Sequence, residues 1–332
     1  MVRVAVDLSG SEKGVREVLI GARAARNAGD LEIILVGQEA AVKGEDLSGF
    51  SFVEAPLAIP MSEKVTRELL RNPDSSLFQI VRLVKEGKAD AAVSGGNTAC
   101  FVALSTSILG TIPGVDRSGI AIFLPPKNDG SSTILIDTGA NTATIASHLA
   151  SYAVLGSYLC RAVFKTDKPR IGLLNVGAEE NKGNDLYREA YSLLKTNSQI
   201  NFIGNIEGHD MYGPEVDVVV VDGFTGNCIL KATEGTAEYF TSLVKAEINR
   251  KGLSGDPKIS EIVSGLARRA DFAEYSGGFL MGVSGICIII HGRSGAEAHR
   301  KAILRAKETV SQNLMSNLHN TFKPTSVPLW IE

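Results

Sequence analysis

The 332-residue chain lacks the residue patterns of most metal, redox and nucleotide chemistry. Its four cysteines, Cys100, Cys160, Cys228 and Cys287, lie far apart with no CxxC or Cys/His spacing for zinc, so they read as small apolar residues in a reducing compartment. Five histidines supply no HExxH helix, and there is no G-x-S-x-G elbow, which removes the signatures of zinc peptidases and serine hydrolases. The absence of any G-x-G step removes the dinucleotide fingerprint, and the absence of GxxxxGK(S/T) removes the Walker-type loop. No cofactor and no metal are expected. No apolar run approaches the roughly 20 residues that a membrane span needs. The opening "MVRVAVDLSG" enters an alternating strand without a charged n-region or long apolar h-region, so a cytoplasmic protein is expected. Excess charge of one sign is missing as well. With Lys+Arg 34 against Asp+Glu 37 the net charge is -3, so no global field argues for nucleic acid and any basic partner surface must be local.

What the chain does have is hydrophobic content of 44%, enough for a large core in one α/β domain or two coupled lobes. Short Val/Ile/Leu runs bounded by glycine recur throughout: "VRVAVDL", "LEIILVG", "ADAAVSGG", "GIAIFLP", "STILIDTG", "RIGLLNVG", "INFIGNIEG", "VDVVVVDG" and "GICIIIHG". Near-continuous apolar strands suit a sheet covered on both faces. Amphipathic helical segments separate most of them. Leu77, Ile80, Val81 and Val84 share one face of residues 75–87, and residues 184–195 open on a capping Asn-Asp. This alternation predicts a three-layer α/β/α fold with a mainly parallel sheet. From Lys231 to about Tyr275 the pattern is instead helix, turn, helix. Ile259, Ile262, Val263 and Leu266 form an apolar face there, flanked by Lys258, Arg268 and Arg269; it suits a helix covering the sheet, or a dimer, partner or membrane contact.

Five loops after apolar strands pair glycine with Asn, Asp or Lys: "SGGNT" (94–98), "DTGANT" (137–142), "NVGAEENKGN" (175–184), "IGNIEG" (203–208) and "DGFTGN" (222–227). One such loop is ordinary turn chemistry. Five suggest a crevice at the carboxyl ends of parallel strands, where ligands bind. In "VVVVDGFTGNCILK" a strand stops at Asp-Gly and restarts as a helix, leaving amides that favour an anion such as phosphate. Lys182 precedes a helix start, where it either joins helix amides around an anion or is simply a solvated loop lysine. Cys228, in a first helical turn, has the position of an activated thiol, but no His is near it in sequence and a small core residue is the plainer reading. His291, ahead of Arg293 and Ser294, and Asp7, at the end of the first strand, each fit a structural or a ligand-orienting role.

"VSGGNTACFVALSTSILGTIPGVDRSGIA", "DTGANTA", "GLLNVGAEENKGN", "NFIGNIEGHDMY", "VDVVVVDGFTGNCILKATEG" and "GGFLMGVSGICIIIHGRS", in this order, resemble the bacterial acyl-acyl-carrier-protein:phosphate acyltransferase family, PlsX. The likeness covers nearly the whole chain. It implies that inorganic phosphate displaces acyl carrier protein from a fatty acyl thioester, giving acyl phosphate for phospholipid synthesis. It also implies a single acyltransferase domain over 1–332 with a helical protrusion at about 232–275. The implied fold is similar to phosphotransacetylases and isocitrate/isopropylmalate dehydrogenases, in a homodimer with peripheral membrane contact. The match places Lys182, Asn205 and Asn227 at the catalytic centre. Gly95, Gly96, Asn97, Thr98, Asn141, Gly183, Asn184, Thr225, Gly226 and His291 fall in the substrate- and phosphate-binding loops. Amides of Thr225 to Asn227, with Lys182, are expected to hold the phosphate or the developing oxyanion, asparagine side chains to orient the thioester, and Lys258, Arg268 and Arg269 to meet an acidic carrier protein or the membrane.

One departure stands out. The family opens with Asp-Ala-Met-Gly-Gly-Asp after the first strand, whereas this chain has "VDLSGSEKG", keeping Asp7 but placing Ser11 and Glu12 where the second glycine and the acid are expected. Two other functions fit the residues. A phosphotransacetylase-like enzyme acting on a short acyl-coenzyme A shares the chemistry, and a non-catalytic carrier-protein or membrane-surface binding homologue would explain the altered loop.

Overall fold

The computed structural model describes residues 1–125, 132–270 and 277–322, the last helical turn before 270 by its backbone alone. The strands β1 (Val2–Asp7), β2 (Leu31–Gly37), β3 (Ser51–Glu54), β4 (Ala91–Ser94), β5 (Gly119–Phe123), β6 (Ile134–Ile136), β7 (Arg170–Leu174), β8 (Asn201–Ile206), β9 (Val218–Val220), β10 (Gly278–Met281) and β11 (Ile286–Ile289) form one sheet. Their order is β3-β2-β1-β4-β11-β10-β5-β6-β9-β7-β8. Pairing is parallel except at β11/β10, β10/β5 and β5/β6.

Strand alternation sends side chains to two helical layers. Val4 and Val6 of β1 join a core with α1 (Val15–Asn27), α4 (Ala146–Phe164) and α8 (Ala296–Ser311), whereas Ala5 faces α2 (Ser76–Lys85) and α3 (Thr98–Leu109). In the other half, Val218 and Val220 face the α4 layer and Val219 and Val221 the opposite side. α5 (Asp185–Thr196) packs against α4. The expected flanked, mainly parallel sheet is present.

The three antiparallel steps have a consequence for the site. They reverse the direction of β6, β9, β7 and β8 relative to β1, β4 and β11, so the carboxyl ends of the two groups leave opposite edges. The expectation that all five glycine loops converge on one edge is therefore corrected. Four of them do, after β6, β9, β7 and β8. "SGGNT" leaves β4 at the other edge, beside the end of β11.

α6 (Gly223–Arg250) starts in "DGFTGN" and runs on for 28 residues, about 40 Å at the helical rise, before the turn into α7 (Pro257–Ala270). Only Gly223 and Gly226 of α6 are buried. The helical pair thus extends out from the site itself. Tyr239, Phe240, Leu243 and Val244 are exposed on α6, as are Ile262 and Leu266 on α7, while Ile259 and Val263 are half-buried.

Candidate active site

The "DTGANT" turn is folded around its own aspartate. Fully buried Asp137 accepts hydrogen bonds at Oδ1 from the amides of Ile120, Gly139 and Ala140, each 2.9 Å, and at Oδ2 from the Asn141 amide at 3.0 Å. Burial pushes its pKa up against the pull of these donors. Asn141 turns inward, donating from Nδ2 to the Ser118 carbonyl and to the Tyr152 hydroxyl. The turn presents α6 with a close-packed backbone surface. Cβ atoms at Gly223 or Gly226, which share one helical face, would overlap the carbonyls of Asn141 and Asp137 respectively. The two glycines of "DGFTGN" exist for this contact.

The amide cradle expected at 225–227 is corrected by the same region. Asp222 caps α6: its Oδ1 accepts from the amides of Phe224 and Thr225 at 3.1 and 3.0 Å, and its carbonyl accepts from the Gly226 amide at 2.8 Å. The helix start is closed by a carboxylate of the chain's own. Burial raises this carboxyl's pKa, but hydrogen bonds from Thr225, Tyr187 and Phe224 outweigh it and hold the group below its ordinary value. What remains for a ligand is side-chain chemistry, above all Asn227, which is exposed.

The Tyr187 hydroxyl donates to Asp222 Oδ2 at 2.7 Å, and this bond ties α5 to α6. Three residues before Tyr187, Asn184 caps α5 by accepting from the Tyr187 amide at 3.2 Å. Gly183 has φ +85°, and a Cβ there would press on Asn175 and Tyr187, so this loop position needs glycine. Lys182 therefore sits at a fixed helix entrance. Its Nζ is 3.8 Å from Glu179 Oε1 in a solvent-exposed pair, a weak hold that leaves the ammonium available to an anion. On neighbouring β8, Asn205 is 7% exposed and donates from Nδ2 to the Glu179 carbonyl at 2.8 Å. Its Oδ1 is buried without a partner, an unmet acceptor directly behind the Lys182 loop.

A cavity of about 300 Å³ opens between α3, α6 and the middle of the sheet. Thr98, Thr138, Asn227 and His291 give it polar edges, and Ile120, Ile122, Leu230 and Ile289 give it apolar walls. Three of the loops meet across the reversal: a cleft over β5 joins Thr98 and His291 from one edge to Gly139 and Asn227 from the other, whereas Lys182 and Asn205 do not line it. Leu230, Lys231 and Glu234 follow Asn227 on the same helical face, with Lys231 and Glu234 paired at 2.8 Å. His291 Nδ1 accepts from the Arg293 amide at 3.3 Å, and desolvation, Arg293 and Lys231 lower its pKa.

Other residues expected at the site are engaged within the fold. Asn97 caps α3 through the Cys100 amide and donates to the carbonyls of Pro60, Met61 and Glu63 at 2.9–3.1 Å. The Gly96 amide donates to Ser94 Oγ, which in turn donates to Asp7 Oδ2 at 2.6 Å, and Gly95 and Gly96 pack against Gly10 of the altered first loop. Asp7 thus joins β1 to β4. The Glu12 amide donates to the Gly292 carbonyl at 2.8 Å, tying that loop to the turn after β11. Cys228 is exposed. Lys258 lies exposed at the start of α7; the side chains of Arg268 and Arg269 are outside the described residues. Among the described residues no helix is long and apolar enough to cross a membrane, and no cluster of metal-ligating side chains occurs.

The chain has clear relatives. The model of the family described as "Fatty acid synthesis protein" matches residues 2–317. The chain belongs to that family. It is 40% identical over 321 residues to the phosphate acyltransferase of Desulforamulus reducens, covering 95% of this chain and 96% of the relative. It is 37% identical to that of Cyanothece sp., covering 98% and 97%. Family members so named are transferases, and the chain is an enzyme of this class. Among solved structures, a phosphotransacetylase from Streptococcus pyogenes shares the fold at TM-score 0.63 and 19% identity, covering 93% of this chain and 94% of that one. A 4-hydroxythreonine-4-phosphate dehydrogenase from Klebsiella pneumoniae follows at 0.53 and 13%, covering 93% and 97%.

Sequence reasoning passed over Asp137, Tyr187, Asp222, Lys231 and Glu234 as site residues. Lys231 and Glu234 were within reach, because they stand four and seven positions after Asn227 on a helix. The Tyr187–Asp222 bond joins residues 35 apart, and no local pattern signals it.

Proposed function

We propose that the enzyme transfers a fatty acyl group from acyl carrier protein to inorganic phosphate, releasing acyl phosphate for phospholipid synthesis. A phosphate oxygen attacks the thioester carbonyl, the new C–O bond forms, the C–S bond breaks, and the departing thiolate takes up a proton from solvent. Phosphate is already a nucleophile and thiolate a good leaving group, so positioning and charge stabilisation suffice. Lys182 offers the cation for phosphate, Asn227 hydrogen-bonds the reacting carbonyl region, and Asn205, with its unpaired Oδ1, holds the Glu179 carbonyl of the Lys182 loop. The observation that carries the reading is the two-sided cleft, polar at Thr98, Asn227 and His291 and apolar at Ile120 and Ile122, in a chain of this family.

The carrier protein is an acidic partner for the exposed Lys258 at the start of α7. The exposed apolar residues of α6 and α7 support a homodimer or a peripheral membrane contact. The experiment is release of carrier-protein thiol from a long-chain acyl donor, with acyl phosphate trapped by hydroxylamine. Release should require phosphate and collapse in Asn227→Ala, and the matched acyl-coenzyme A should be the poorer donor. A better rate with coenzyme A would move the enzyme to the phosphotransacetylase type, and binding of the carrier without release would make it a non-catalytic partner.

A further inference from the structure

We propose that the space beneath α6 receives the donor's acyl chain and that Gly278 sets how long a chain it admits; this rests on the acyl-transfer reading above. The cavity is divided by polarity. Asn227 and His291 stand at its polar edge, whereas Ile120, Ile122 and Ile289 form a floor that phosphate or a polar carrier arm would leave bare, and Leu230 covers it one helical turn from Asn227. Hydrocarbon entering there leaves water and meets apolar walls, so the favourable occupant is an alkyl chain whose carbonyl end stays at Asn227.

The floor residues rest on a position with no room for a side chain. Gly278 opens β10, which pairs with β5 through Leu280↔Ile120 and with β11 through Gly278↔Ile289. A Cβ at 278 would stand 3.0 Å from Ile120 Cγ2 and 3.4 Å from Ile122 Cγ2, directly among the floor residues. Gly277 next to it has φ +76°, a conformation that explains its glycine on backbone grounds, but Gly278 has no such backbone demand. Its glycine permits the close approach of Ile120 and Ile122, so a side chain at 278 must displace those two floor residues. A branched side chain there would raise the floor, and trimming Ile122 would lower it.

The test measures kcat/KM with butyryl, octanoyl, lauroyl and palmitoyl carrier protein for the wild type, Gly278→Val and Ile122→Ala, together with displacement of a fluorescent fatty acid by laurate. Gly278→Val should lower the palmitoyl-to-butyryl ratio by about tenfold or more, and Ile122→Ala should raise it, because pocket fit discriminates by about that factor per methylene or more. Gly278→Val should weaken laurate binding in parallel. An unchanged ratio in both variants, or an equal loss for every donor with laurate binding intact, overturns the assignment. If wild-type enzyme forms no acyl phosphate from any donor, the acyl-transfer reading falls, and laurate binding that Gly278→Val abolishes would still establish the chain site. Laurate binding indifferent to both variants would remove it.

Discussion

Gly226, in the first turn of α6, lies against the main-chain carbonyl of Asp137 with no room between them for a Cβ. The contact seats the helix that carries Asn227 on the turn that follows β6. Gly226→Ala should force the two apart, lowering stability by about 1–3 kcal/mol, as overpacking does, and displacing Asn227. Urea unfolding beside turnover checks this. Because 1 Å of misplacement can cost on the order of a hundredfold in rate, activity should fall more than the stability loss explains.

Lys182→Ala should cut turnover by about two orders of magnitude or more if the ammonium meets charge in the transition state. Its ion pair with Glu179 is solvent-exposed, so the melting temperature should barely move. Near-normal turnover in a folded variant would take Lys182 out of the mechanism.

Tyr187→Phe removes the hydroxyl that donates to Asp222, the cap of α6, and with it the link between the Lys182 loop and the Asn227 helix. A loss of about 1.5–3 kcal/mol in stability is expected for a bond to a charged group. Turnover should decline with little change in KM for the carrier protein. Steady-state kinetics at several phosphate concentrations would show whether coupling of the two segments matters.

His299 of α8 is buried with neither ring nitrogen hydrogen-bonded, and burial lowers its pKa from 6.5 to about 4 despite nearby Glu17. The folded protein thus keeps the ring neutral, while the unfolded chain binds a proton below 6.5. The sign follows from linkage: stability is intact above pH 6.5 and is lost as pH falls towards about 4. The loss should reach about 3 kcal/mol, because each tenfold drop in proton affinity on folding is worth about 1.4 kcal/mol. His299→Met should flatten the unfolding free energy over that window, measured by denaturant titration at stepped pH. A slope unchanged by the substitution would assign acid sensitivity to other groups.

Repeated Val/Ile/Leu runs and amphipathic segments determined the strands, the helical layers and the loops that carry polar chemistry, because side-chain periodicity is local. The strand endings before "SGGNT" and "DGFTGN" and the helix starts after them were legible for the same reason, although the long helix begins at Gly223, ahead of the change of pattern read at Lys231. Tertiary structure decided the rest. Antiparallel steps around β10 and β5 reversed half the sheet, so Thr98 and His291 reach Asn227 across β5 instead of along one edge. It also decided which polar groups were already taken: Asp222 closes the helix amides that the "DGFTGN" pattern offered to phosphate, and Asn97 and Asn141 turn inward to hold loops. A sequence shows which groups can hydrogen-bond, but their partners are set by chain segments distant in sequence and brought together only by folding.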